Sequence, residues 1–308
     1  MIELCRSALG WRPDDPSERF FAWKHDLNPF GSSPAWVAED AQGHLVGVRV
    51  FMRWRFTDGR TVRHAVRAVD TATHPDMQGR GIFKRLTLGA LPDLVDDGVD
   101  LVFNTPNDQS RPGYLKMGWQ VVGRVPVSMR LRSPAAVIAV RGAKAAARKW
   151  SEPTDAGLDA ANAFSDGQGV ERLLALCAPA GGLHTDRDVE YLRWRYSFDA
   201  LNYRVVPFGD RLEDGVMVFR IRRRGTAIEA AICEVLSPTP GAERSAVGWL
   251  LRHTGADYAL RTDGRGSLRS GFVPVPRLGP VLTWRPLDGA AVPEMSAMSL
   301  ALGDIELF

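Results

Sequence analysis

Residues 69–91 read VDTATHPDMQGRGIFKRLTLGAL, and this stretch decides the fold. An extended run ends near Thr73 and a turn at His74-Pro75 follows. The glycine-containing loop Gln78-Gly79-Arg80-Gly81-Ile82-Phe83 then opens directly into an amphipathic helix. Successive backbone N–H groups in such a loop, together with the free N–H groups and positive dipole end of the helix, form a cradle for phosphate oxygens. Arg80, with Lys84 a turn further on, would add charge-assisted contacts. The loop therefore implies a ligand that bears a diphosphate. Pro92 is expected to kink or shorten the helix.

Elimination narrows the ligand. The Walker pattern GxxxxGK[ST] is absent, so no Lys and Ser/Thr pair stands ready for phosphates and Mg²⁺. A dinucleotide fingerprint needs GxGxxG after the first strand of a parallel βαβ unit, and here Lys84 stands in place of the third glycine. The pattern around the loop is also wrong for a parallel unit. Upstream, WVAE, HLVGVRVFMRWRF and TVRHAVRAVDTAT, parted by Asp40 to Gly43 and by Asp58-Gly59, read as an antiparallel meander. A short aromatic helix from Asp15 to His25 precedes them. Downstream come a buried strand at Asp100 to Asn104, a polar loop, a short helix near Arg111 to Met117 and two strands between Trp119 and Leu131.

The loop resembles the phosphate-binding signature of the GNAT superfamily, Q/R-x-x-G-x-G/A. Gln78 fills the first position and Gly81 the fourth, while Phe83 stands where the sixth is usually Gly or Ala. RPGYLKMGW, residues 111–119, is similar to the Y-x-x-x-G-F/W element that follows the next strand in that superfamily. The resemblance covers residues 17–132. It implies an α/β (α+β) GNAT fold, a mixed and mostly antiparallel sheet flanked by helices, with acetyl-CoA as the cofactor. It also implies that Gln78, Gly79, Arg80, Gly81, Ile82 and Phe83 hold the diphosphate. Thr71, Ala72 and Thr73, with Asn104 and Asn107, would then lie along the pantetheine arm. Tyr114 matches the tyrosine that protonates the departing CoA thiolate, a phenol with a pKa of about 10 being a competent donor. The alternatives are an ordinary strand-to-helix turn and a core tyrosine packed beside Trp119.

A general base must also face the acyl carbon. Asp70 is the candidate on the strand leading to the loop, where alternation puts Asp70, Ala72 and His74 on one face and Val69, Thr71 and Thr73 on the other. The alternative is a structural carboxylate. His74, preceding Pro75, reads as a turn residue, and the terminal carboxylate of Phe308 is a further possibility if the tail folds back. RWRF, residues 53–56, interleaves basic and aromatic residues and has two readings, a surface that stacks a nucleotide or sugar and an amphipathic strand with Trp54 and Phe56 inward, the second being favoured.

Composition sets the outer limits. The chain has 308 residues, 45% hydrophobic and 24% charged, which suits two globular domains. The 39 basic and 36 acidic side chains give +3, too little to argue for a nucleic-acid or membrane partner. Cys5, Cys177 and Cys233 lack metal spacing and fit a reducing compartment. With no secretory leader or membrane-length apolar run, a cytoplasmic protein without a metal is expected.

The Ala-rich, basic segment from 134 to 168 reads as a linker between an acyl-CoA-binding domain, residues 1–133, and a second, residues 169–308. The second half repeats the plan: a capped helix ending YLRWRY, the strands YRVV, GVMVFRIRR and TAIEAAICEVL, and a helix at Glu243 to His253. Its loop, SPTPGAERSAVGW, lacks the Gln/Arg start and the paired glycines, so this half resembles a degenerate GNAT domain without CoA. A strand-like run from Met295 closes the chain. The function implied is transfer of an acyl group from acetyl-CoA to a small-molecule or peptide amine within a ternary complex, with a CoA-binding sensor or assembly protein as the alternative. Peptidyl or long-chain acyl transfer would differ only in the donor.

Overall fold

The computed structural model describes residues 1–142, 146–177, 181–239, 241–262 and 270–306. The chain divides into two units. The first comprises Met1–Arg124, Leu183–Asp186 and Pro280–Met298, and the second Val125–Gly182, Arg187–Gly279 and Ser299–Phe308. In chain order the elements are α1 (Ile2–Leu9), α2 (Ser17–His25), β1 (Ala35–Glu39), β2 (Leu45–Thr57), β3 (Val62–Thr73), α3 (Ile82–Asp96), β4 (Leu101–Asn104), α4 (Arg111–Lys116) and β5 (Gln120–Arg124). There follow β6 (Val127–Leu131), α5 (Ala136–Gly142), β7 (Leu158–Asp159), α6 (Ala160–Ala163), α7 (Gly167–Leu176), β8 (His184–Thr185) and α8 (Val189–Arg195). Last come β9 (Arg204–Pro207), β10 (Val216–Arg224), β11 (Ala227–Leu236), α9 (Glu243–His253), β12 (Tyr258–Thr262), β13 (Val273–Pro274), β14 (Val281–Pro286) and α10 (Leu302–Ile305). The fold is mixed α/β with two mostly antiparallel sheets.

The first sheet runs β1-β2-β3-β4-β14-β5, with β8 beside β2. Every neighbouring pair is antiparallel except β3 and β4, which are joined through α3 and run parallel. One face packs Phe51, Val66, Leu94, Val102 and Trp119 under α3 and α4. The other packs Leu4 and Cys5 of α1 against Val48, Val50 and Ala72. Trp54 and Phe56 are buried as alternation requires, and Arg53 and Arg55 are partly exposed. Gly47 is the point at which α3 crosses β2: a Cβ there would stand 2.6 Å from Ile82 Cγ2 and 3.2 Å from Leu86 Cδ1. Pro92 does not shorten α3, which continues through it to Asp96.

The second sheet runs β13-β6-β12-β11-β10-β9-β7. The connectivity of the first recurs: an antiparallel meander β9-β10-β11, then α9, then β12 parallel to β11. Met217, Phe219, Ile232, Val247 and Leu250 form its apolar core. Two placements differ from the sequence expectation. β6, read with the first half, pairs with β12 of the second sheet, while β14, from the last thirty residues, lies between β4 and β5 of the first. The expected closing strand from Met295 is instead a 3-10 turn followed by α10. Its backbone is held by side chains: Asp304 accepts from Ala301 N at 2.7 Å and pairs with Arg187 at 2.8 Å.

Candidate active site

At the start of α3 the backbone donors are open. Gly79 and Gly81 both adopt φ +74°, the left-handed conformation that glycine takes without strain, and a Cβ at either would meet nothing within 4 Å. Gly81 caps the helix without a side-chain bond, and the N–H of Arg85 is the first to find a helical partner, Gly81 O, at 3.0 Å. Among the described residues, the amides from Gly79 to Lys84 donate to no protein acceptor. Gln78, Arg80 and Lys84 are exposed around them. Orphan donors at the positive end of a 15-residue helix suit an anion.

A path leads inward from this cradle because β3 and β4 part company. Their parallel pairing ends at Arg67↔Phe103, although β3 continues to Thr73 with β2 on its other side. The β4-facing edge of Ala68 to Thr73 is therefore left without a strand partner among the described residues, so its backbone groups can pair with an extended ligand.

Beside this edge stands Tyr114, 5% exposed, on α4. Phe83, at the sixth motif position, packs edge-on against its ring with centroids 5.4 Å apart, and Trp119 does the same at 5.3 Å. The bulky residue thus supports the tyrosine rather than filling the glycine loop. The Tyr114 hydroxyl accepts a hydrogen bond from Arg49 Nη1 at 2.9 Å, and the same nitrogen donates to Thr71 Oγ1. Thr71, Phe83 and Tyr114, three of the residues expected from the sequence, therefore converge on an arginine that was not.

Asp70 lies elsewhere. Strict alternation fails because β3 bulges: Val69 pairs with Val50 and Ala72 with Val48, so Asp70 and Thr71 together oppose Arg49. Val69 and Ala72 consequently share a face, and Asp70 takes a left-handed φ of 42°. Its buried carboxylate forms an ion pair with Lys24 and accepts from His25 Nε2 at 2.7 Å. Burial would push this carboxyl up, but Lys24 and His25 outweigh it and hold it well below the usual carboxylate range. Burial likewise lowers the pKa of His25, more than Asp70 restores it, so the ring is neutral near pH 7. A carboxylate can only accept, so Nε2 carries the proton and Nδ1 accepts from Ser33 Oγ at 2.9 Å. A chain Ser33–His25–Asp70 results, its hydroxyl end half-buried.

The asparagines do local work. Asn104 Oδ1 accepts from Thr283 Oγ1 of β14 at 2.5 Å, and Asn107 Oδ1 accepts from Ser110 N at 2.9 Å, shaping the approach to α4. Thr73 ends β3 opposite Gly47, and Ala72 is buried. Phe308 lies outside the described residues. Sequence reasoning missed Arg49, Lys24, His25 and Ser33. For Arg49 a signal existed, a lone charge at an inward position of the apolar run LVGVRVF. No helix among the described residues is long and apolar enough to cross a membrane, and none of them form a group of three or more metal-ligating side chains.

No curated protein matches the sequence. The fold is shared with a conserved protein of Enterococcus faecalis (13% identity, 93% of this chain and 69% of that one, TM-score 0.62). It is shared also with a GCN5-related N-acetyltransferase from Anabaena variabilis (12% identity, 92% and 69%, TM-score 0.63). A third, a GCN5-related N-acetyltransferase from Kribbella flavida, aligns at 14% identity over 93% and 68% with a TM-score of 0.60. Residues 1–122 match the acetyltransferase (GNAT) domain family.

Proposed function

We propose that the protein transfers an acetyl group from acetyl-CoA to a primary amine, directly and within a ternary complex. The observation that carries the proposal is the continuity of three features: open amides at Gly79 to Lys84, the unpaired edge of β3, and the Tyr114 hydroxyl beside it. When bound, acetyl-CoA supplies an activated thioester. The amides and Arg80 hold its diphosphate, and Thr71 to Thr73 offer backbone groups to its pantetheine. Tyr114 gives its phenolic proton to the departing thiolate.

Asp70 serves as a fixed anion rather than as the acceptor of the amine's proton, because a carboxylate held at so low a pKa is a weak base. The amine donates to Ser33 Oγ, the Ser33 proton passes to neutral His25 Nδ1, and Asp70 stabilises the imidazolium formed. A cysteine acyl carrier finds no support. Burial raises the pKa of Cys5 and Cys177 to about 11 and lifts that of Cys233 well above its ordinary value, so none is a thiolate near pH 7.

The second unit has a counterpart of α3 in α9, but there Glu243 occupies the first turn. It is buried and accepts from Ser270 Oγ at 2.6 Å and Arg261 at 3.2 Å. A resident carboxylate at that helix start repels a diphosphate, which supports a degenerate second domain that binds no CoA.

Titration calorimetry with CoA, followed by thiol release from acetyl-CoA with a panel of small amines and peptides, tests the assignment. Tyr114→Phe is expected to lower kcat about 100-fold while CoA affinity holds, and His25→Gln to lower kcat with an intact fold. Binding without turnover on any amine would favour the sensor; absence of CoA binding would end both.

A further inference from the structure

Arg49 is the one feature of the tyrosine's surroundings that the transfer scheme leaves unused. It is 0% exposed in the middle of β2, and among the described residues no carboxylate lies within ion-pair distance of it. Several other arginines do meet carboxylates: Arg195, Arg220 and Arg222 share Glu306, Arg187 pairs with Glu234 and Asp304, and Arg261 with Glu243. Arg49 instead lies over the rings of Phe51, Tyr114 and Phe83, with its guanidinium carbon 4.6, 5.4 and 5.6 Å from their centroids. Among the described residues its Nε and Nη2 are buried without a hydrogen-bond partner, and its donations run through Nη1 to Thr71 Oγ1 and Tyr114 Oη.

An arginine stays charged in any protein environment, and a buried cation without a counter-ion is costly. Ring faces return part of that cost. A charge kept in this state is worth most if an anion forms beside it during the reaction, since only interactions stronger in the transition state speed the chemical step. Nη1 already occupies a lone pair of Tyr114 Oη, which leaves the phenolic hydrogen directed elsewhere.

We propose that Arg49 is a positioning residue that turns Tyr114 into the acid of the reaction; this rests on the acyl-transfer assignment above. As the C–N bond forms and the C–S bond breaks, the electron pair goes to sulfur and the Tyr114 O–H bond is exchanged for an S–H bond. The phenolate left behind is 2.9 Å from Arg49 Nη1. The cation that faced no counter-ion before the transfer has one after it, and solvent restores the tyrosine proton when CoA leaves. Thr71 fixes the guanidinium by sharing the same nitrogen.

The experiment is a double-mutant cycle on the full chain. Arg49→Met keeps the apolar volume among the rings and is expected to lower kcat about 100-fold, with CoA affinity by calorimetry and KM for acetyl-CoA unchanged within about threefold. Introduced into Tyr114→Phe, it should cost nothing more, because the group it acts through is gone. Arg49→Lys should recover part of kcat. Thr71→Val, the second variant should Arg49→Met fail to fold, is expected to lower kcat about tenfold in the parent and to have no effect in Tyr114→Phe. Losses that multiply in the double variant, a kcat unmoved by Arg49→Met, or CoA affinity falling in step with kcat would each overturn the proposal. A parent without turnover would sink the transfer assignment and this inference together. An active parent that is slowed in Tyr114→Phe but indifferent at position 49 would sink only the inference.

Discussion

Replacing Glu306 by Gln removes one negative charge from a point where three guanidinium groups meet. Arg220 lies at 2.6 Å, Arg222 at 3.2 Å and Arg195 at 3.4 Å, and Tyr203 donates its hydroxyl at 3.0 Å. Burial alone would raise this carboxyl above its ordinary 4.5; Arg220, Arg222 and Arg195, with the Tyr203 bond, overturn that and bring it to about 2. The folded chain thus holds the Glu306 proton less tightly than the unfolded chain does. Its contribution to stability is present above pH 4.5 and is lost as pH falls from 4.5 toward about 2. At about 1.4 kcal/mol per tenfold change in proton affinity, the drop is worth about 3 kcal/mol, in line with the roughly 3–5 kcal/mol that follows removal of one partner from a buried pair. Urea unfolding followed by tryptophan fluorescence, for the parent and Glu306→Gln between pH 7 and pH 2, should give a stability gap that is widest above pH 5 and nearly closed at the acid end. A gap under about 1 kcal/mol at pH 7, or one that keeps its size across the range, would refute the reasoning.

Two further expectations concern the scaffold. Gly47→Ala places a Cβ 2.6 Å from Ile82 and should destabilise by about 1–3 kcal/mol and weaken CoA binding by moving the first turn of α3, whereas Gly89→Ala, on the open face of the same helix with nothing within 4 Å, should be neutral or raise the melting temperature; melting curves with calorimetry decide both. Native protein at pH 7.5 should resist thiol alkylation at Cys5, Cys177 and Cys233 and keep its turnover after treatment, as burial raises all three thiols; fast labelling by mass spectrometry with loss of activity would restore a cysteine intermediate.

What the sequence disclosed was local. Gly79 and Gly81 announce a backbone that only they adopt freely, and the periodic run after Ile82 announces a helix, so the cradle was legible from a dozen residues. Glu243 to His253 matched α9 for the same reason. The bulge at Asp70 was hidden, since strand periodicity carries no mark of an inserted residue. The helix α1 escaped because IELCRSAL has no side-chain cap at its start. The tail was misread because Asp304 and Glu306 owe their placement to Arg187, Arg195, Arg220 and Arg222, more than eighty residues away in the chain. Arg49 and Tyr114, 65 positions apart, meet only through the sheet and α4.

The insertion of β14 between β4 and β5 has a consequence for biosynthesis. When the ribosome has made Arg124, the strands carrying Asn104 and Gln120 have no common neighbour, and the seam between them stays open until Val281–Pro286 emerges, more than 150 residues later. β6 waits in the same way for β12. Such long-range pairing makes folding slow and leaves naked strand edges in the nascent polypeptide, where chaperones would be expected to bind. It also means that cutting the gene after Arg124 would leave the first sheet incomplete: the first unit borrows its strand β14 from residues 281–286.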